Sequence, residues 1–200
     1  MSLPFLNSAP KHTAATYLRK CCSSEEWITR MLRQRPFRDS DAVHAAADSA
    51  WIDLGEQDYL EAFSGHPKIG DIQSLQKKYS DSANLARSEQ SGVESASPEI
   101  LQKLSAANHA YEEKFGFIFI VCATGKSAPE MLAILQDRLE RERAAELKTA
   151  CDQQRQIFHL RLASVLCQKS APTSSIRLGG ALRLGWRLPS ANGLETAGRL

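Results

Sequence analysis

The sequence predicts an all-α protein, with one compact helical domain over residues 1–166 and a flexible C-terminal tail over 167–200. Three observations lead there. Cap residues, early acids and first-turn prolines recur ahead of apolar residues spaced three and four apart, the pattern of helices that bury one face. A single run, Phe117 to Cys122, has strand character, and no second strand offers to pair with it. The composition is that of a globular chain, at 42% hydrophobic, 24% charged and 7% aromatic. A chain of this length buries roughly 70% of its unfolded surface, enough to fold without a disulfide or metal staple.

Taken in order, Thr13 to Cys22 is a short helix-compatible stretch. Ser23-Ser24 offers an N-cap, and Glu25 and Glu26 fall in the first turn, where the helix dipole favours negative charge. Trp27, Ile28, Met31 and Leu32 then form one stripe, and Pro36 ends the helix. Asp39 or Ser40 caps the next, in which Val43, Ala46, Ala47, Ala50 and Trp51 share a face. Asp58 to Ser64 reads as another turn or two. Gly65-His66-Pro67-Lys68-Ile69-Gly70 interrupts the pattern as a loop with tightly specified backbone angles. Short helices follow over Ile72 to Tyr79 and about Ala83 to Gly92.

Ser97-Pro98-Glu99 opens a central helix carrying Ile100, Leu101, Leu104, Ala107, Asn108, Tyr111 and Phe115, closed by Gly116. Phe117 to Cys122 is too short for a helix. Read as a buried strand without a neighbour, its backbone groups need loops, side chains or a ligand as partners. Ser127-Ala128-Pro129-Glu130 is a capping box with proline at the first helical position, ahead of the stripe Met131, Leu132, Leu135 and Leu139. The last long helix spans about Ala144 to Leu166, with Leu147, Ala150, Cys151, Ile157, Leu160 and Leu162 inward or nearly so. Beyond it the chain turns basic and rich in Gly, Ser and Arg, without helical periodicity, and disorder is expected.

The formal net charge of +2 makes no general electrostatic case for nucleic acid or anionic membrane. No run of about 20 apolar residues exists to span a bilayer. The five cysteines, without a Cys-x-x-Cys pair or signal-peptide pattern, suit a reducing compartment, with Cys21-Cys22 as buried thiols. No Ser nucleophile elbow, phosphate loop or dinucleotide glycine pattern is present, and Gly125-Lys126-Ser127 is better explained as a helix entry.

Three positions could carry chemistry. His66, framed by Gly65 and Pro67, can aim a ring that titrates near neutral pH at a cleft, although a surface-turn histidine is the simpler reading. Glu89-Gln90 lies on a polar stretch that would ordinarily be a solvated face. Arg161 lies between apolar neighbours near the end of a long helix, where an arginine can also snorkel to solvent. His12, His44, His109 and His159 show no metal-ligand spacing.

These residues belong to a wider set: Cys21-Cys22-Ser23-Ser24 with Trp27, Met31 and Arg35-Pro36-Phe37; Asp58-Tyr59-Leu60-Glu61-Ala62-Phe63; His66-Pro67-Lys68-Ile69-Gly70-Asp71; Glu89-Gln90 with Gly92; Asn108 and Tyr111; Phe115 through Ala123 and Gly125-Lys126-Ser127; and Glu146-Leu147, Gln154, Ile157 and Arg161-Leu162. In that order, from about Leu6 to Leu162, they resemble the 2-oxo-4-hydroxy-4-carboxy-5-ureidoimidazoline (OHCU) decarboxylases. These are the last enzymes on the route from urate to allantoin. The resemblance implies an all-α fold, usually a homodimer, acting on a small-molecule substrate with neither metal nor organic cofactor, and with no nucleic-acid or membrane partner. It implies loss of CO2 and formation of (S)-allantoin.

By match to the family motif, His66 is the catalytic histidine, with Glu89 and Arg161 completing the catalytic set. Pro67, Gln90, the stretch Ala86-Arg87-Ser88, and the segment Phe119, Ile120, Val121, Cys122 and Ala123 stand at substrate-binding positions. One departure stands out. Where the family often has Trp-Ser-x-x-Glu-Gln, this chain has Leu85-Ala86-Arg87-Ser88-Glu89-Gln90, and Ala86 has no hydroxyl to donate. A lost contact there is worth roughly 0.5–1.5 kcal/mol. Other readings are a related lyase on another purine-derived heterocycle and a non-catalytic helical interaction module with a decayed site. Eukaryotic relatives are often peroxisomal and bacterial ones cytoplasmic; Gly198-Arg199-Leu200 has the basic-Leu ending of a peroxisomal address with a poor third residue.

Overall fold

Residues 2–68 and 98–167 are described by the computed structural model, and they form helices joined by short connections and one extended segment. In chain order the helices are α1 (Leu3–Ser8), α2 (Lys11–Cys21), α3 (Glu25–Arg33), α4 (Ser40–Trp51), α5 (Glu56–Ser64), α6 (Pro98–Phe115), α7 (Ala128–Leu139) and α8 (Arg143–Cys167). All lie within one compact unit, Met1–Ser170. The helices read over Ile72–Tyr79 and Ala83–Gly92, the Ser97 cap and the tail from 168 onward lie outside the described residues. No strand occurs among the described residues, as an all-α reading requires.

The caps form as their chemistry dictates. Ser24 accepts from the Trp27 N–H, Asp39 from Ala42, and Ser127 and Glu130 close a reciprocal box on α7. Pro129 falls at the second helical position rather than the first, because Ala128 already begins the helix. Helix α1 was not legible in the sequence. It is a turn and a half long, below what periodicity can show, and its only signals are Ser2 as cap and Pro4 in the first turn.

Helix α8 runs along α2, α4, α5 and α6. Phe158 on it meets Trp27 of α3 at 5.4 Å and Trp51 of α4 at 5.6 Å between ring centroids. The buried Trp27 indole donates to the Ala47 carbonyl at 3.0 Å. Asp48 of α4 takes a two-pronged bond from Arg155 of α8 and a contact from His159, and these, Arg155 first, hold its carboxyl down to about 2. Leu160 corrects the sequence reading: it is 45% exposed, not inward. The buried face of α8 runs through Glu146, Ala150, Gln154, Ile157, Arg161 and Val165, and at 100° per residue Leu160 falls away from it. The true stripe is part polar, and an apolar pattern alone therefore misplaced its edge.

Candidate active site

Three pieces of backbone converge: the turn after α5, the second half of α8, and the extended segment between α6 and α7. His66 stands on the first. Its N–H donates to the Phe63 carbonyl at 3.0 Å, continuing the last turn of α5. Ser23, in the α2–α3 connection, donates to the carbonyls of Glu61 and Ala62, each at 3.0 Å. The end of α5 is thereby tied to the start of α3. Pro67 is buried and His66 half-buried. Lys68 pairs with Glu112 on α6.

Gly65 corrects a second expectation. Its backbone angles are ordinary helical ones, φ −68° and ψ −16°. The need for glycine is steric: a β-carbon there would lie 2.1 Å from the Ser23 hydroxyl oxygen and 2.8 Å from the Ser23 β-carbon. Gly65→Ala is therefore expected to push Ser23 off the α5 carbonyls, lowering stability by about 1–3 kcal/mol and displacing His66. Urea unfolding checks the first effect. Gly65→Ala/Ser23→Gly, which removes the obstructing side chain, should fold better than Gly65→Ala alone.

Arg161, 95 residues further along, reaches the same place. One guanidinium nitrogen lies 3.4 Å from His66 Nδ1 and another 3.5 Å from the Cys21 carbonyl oxygen. Arg161 is 7% exposed, so it does not snorkel to solvent. A guanidinium can only donate. His66 Nδ1 therefore accepts, and the neutral ring carries its proton on Nε2. Cys22 is buried beside Arg161, and burial pushes its thiol up to about 12, so it is no ready nucleophile at neutral pH.

The extended segment is the third piece. Gly116 at φ 78° and Gly125 at φ 75° bracket it, both in the left-handed region that favours glycine. Phe117 and the run from Phe119 to Ala123 are buried. With no neighbouring strand among the described residues, side chains serve the backbone. Arg138 of α7 donates to the Ile120 carbonyl at 2.8 Å, Gln153 of α8 accepts the Cys122 N–H at 2.8 Å, and Lys126 donates to the Cys122 carbonyl at 2.8 Å. No hydrogen bond reaches the Val121 backbone among the described residues.

Arg138 is itself held. It forms a buried ion pair with Glu146 and lies over the Phe119 ring, 4.7 Å from its centroid. The Tyr111 hydroxyl donates to Glu146, and burial pushes that phenol well above its ordinary range, so it stays protonated. The structure thus brings His66 and Arg161 together, with Pro67 next to His66 in the chain, and ties the Phe119 to Ala123 segment to α8 through Gln153. Glu89, Gln90, Ala86, Arg87 and Ser88 lie outside the described residues. Reading residue by residue did not single out Arg138, Glu146 or Gln154 for a buried role. The available signal was their phase: on α8, Glu146 and Gln154 fall on the same stripe as Ala150 and Ile157.

Comparison with known proteins gives the relationship. The family model described as OHCU decarboxylase matches residues 7–163. The chain belongs to the OHCU decarboxylase family. The OHCU decarboxylase match takes in all three pieces of backbone and stops short of the tail. The chain is 38% identical over 151 residues to the uric acid degradation bifunctional protein TTL of Arabidopsis thaliana, covering 75% of this chain but only 46% of that relative. It is 25% identical over 158 residues to an OHCU decarboxylase of Halalkalicoccus jeotgali, covering 78% of this chain and 87% of the relative. Among solved structures, an OHCU decarboxylase crystallised in the presence of (S)-allantoin superposes with a TM-score of 0.63 at 34% identity, over 74% of this chain and 95% of that one. No described helix is long and apolar enough to cross a membrane.

Proposed function

We propose that this chain decarboxylates OHCU to (S)-allantoin in urate degradation, as a carboxy-lyase without cofactor. The observation that carries the reading is the 3.4 Å approach of Arg161 to His66 Nδ1, which leaves the buried Nε2–H as the proton-donating side of the neutral ring. The relatives' names supply the substrate, because they are uric acid degradation proteins and OHCU decarboxylases.

The chemistry needs no external electron sink. As the C–CO2 bond breaks, its electron pair passes toward the adjacent ring C=N, whose nitrogen takes a proton. The hydroxyl carbon becomes a carbonyl as its O–H proton leaves, and the ureido-bearing carbon receives a proton on one face. One CO2 leaves and one proton is consumed overall. His66 exchanges the proton with the hydroxyl or the developing intermediate. Arg161 helps most at a ring carbonyl, where charge grows; a tight clamp on the departing carboxylate would stabilise the ground state instead. Glu89 orients the ring or binds the ureido N–H groups. Pro67, Gln90, Ala86, Arg87 and Ser88 line the substrate, and the Phe119 to Ala123 backbone contacts it, a reading supported by Val121 peptide groups that no described residue engages.

Freshly generated OHCU, followed by circular dichroism, tests this directly. The chain should accelerate formation of chiral allantoin, and a time course equal to buffer would sink the reading. Activity should survive EDTA; inhibition reversed by added metal would overturn the cofactor-free step. We propose a homodimer, checked by sedimentation, and a peroxisomal setting with the cytoplasm as the second reading, checked by fractionation.

A further inference from the structure

Gln154 lies on α8 with 0% of its surface exposed, and among the described residues neither its amide nitrogen nor its amide oxygen has a nitrogen or oxygen partner, the Cys22 thiol being its one polar neighbour. Burying both ends of an amide unpaired is costly, and an apolar side chain of similar length would fill the volume without that cost. Its position points to what the amide is for. Gln154 lies two turns before Arg161 on one face of the helix, roughly 10 Å along the axis at 1.5 Å per residue. Helical side chains lean toward the N-terminus, so the long Arg161 side chain inclines back toward Gln154. Cys22 sits beside both: the Arg161 charge and the Gln154 amide each favour its thiolate. A thiol is too weak a partner to replace water on an amide. The neighbouring residue, Gln153, holds the Cys122 N–H of the extended segment at 2.8 Å. This turn of α8 therefore touches the segment and precedes the Arg161–His66 pair by two turns.

We propose that Gln154 is a substrate-binding residue, its N–H and C=O pairing with the adjacent C=O and N–H of a cyclic amide or urea edge in the bound heterocycle. The proposal rests on the decarboxylase reading for the identity of that ring. A primary amide is the side chain that presents one donor and one acceptor side by side, which is the complement of a ring –CO–NH– edge. A buried group of this kind selects for ligands that satisfy it, since an analogue lacking the N–H leaves it unpaired again.

The test uses the whole chain with Gln154→Met, which keeps length and volume but removes both polar atoms. Two readouts should move in opposite directions. Without substrate, Tm should stay equal or rise, because an unpaired buried amide has gone. With OHCU, KM should rise at least tenfold. Gln154→Glu, which loses the N–H donor, should raise KM as well. A Gln154→Met protein with wild-type KM overturns the proposal, as does one whose Tm falls while KM is unchanged, the result expected if the amide only serves the fold. A wild-type chain that leaves OHCU untouched would be a different failure: it would overturn the decarboxylase reading and the ring partner named here.

Discussion

Replacing His66 with asparagine should abolish turnover while the protein still folds. Proton transfer by a positioned side chain contributes about 10²–10⁴-fold, and asparagine supplies no group that titrates near neutral pH. The fold should tolerate the change because the ring is half-buried and its 3.4 Å contact with Arg161 is long for a hydrogen bond. The measurement pairs initial rates of allantoin formation with a thermal melt: a rate lower by at least a hundredfold at a Tm within a few degrees of wild type. Near-wild-type allantoin production by His66→Asn would remove this histidine from the mechanism.

Arg138→Met should have the largest effect on stability. It leaves Glu146, which is 0% exposed, with only the Tyr111 hydroxyl and Arg141 at 3.9 Å, and takes the donor from the Ile120 carbonyl. Breaking one side of a buried pair costs about 3–5 kcal/mol, a large share of the roughly 5–15 kcal/mol that holds a domain together. The double variant Arg138→Met/Glu146→Leu should regain much of that loss, since well-packed apolar groups often replace a buried pair without penalty. It should not regain activity, because the Ile120 carbonyl still lacks its anchor and the extended segment is free to shift. Urea unfolding and kcat/KM on the single and double variants check both halves. A single variant within about 1 kcal/mol of wild type would show that the pair carries little of the fold.

The site was legible to different depths along the chain. His66 stood out because glycine and proline frame it, but the role of Gly65 did not: its backbone angles are ordinary, and its partner, the Ser23 side chain, lies 42 positions earlier and comes close only through folding. Arg161 was visible as an oddly placed arginine. Its pairing with His66 joins residues 95 positions apart, which no local pattern encodes. The segment from Phe117 to Cys122 read as a strand without a partner, and that tension was real. Its resolution by Arg138, Gln153 and Lys126 side chains follows from helix packing. An apolar stripe places Leu160 inward and gives Gln154 no buried role for one reason: the buried face of α8 is partly polar.

By itself, then, the sequence determined what local physics governs: where helices begin, through Ser24, Asp39 and the Ser127–Glu130 box; which faces are apolar; and which segment cannot be a helix. Those properties depend on residues a few positions apart, and their energies are settled within a turn. Tertiary structure alone decided which polar groups are buried and against what. Burial makes Arg161 a partner of a histidine rather than a surface cation, gives Arg138 a backbone carbonyl to hold, and leaves the Gln154 amide inside the protein with no nitrogen or oxygen partner among the described residues. An unpaired polar group is inexpensive in water and costly in the core, so the same side chains acquire their meaning only once packing has removed the solvent.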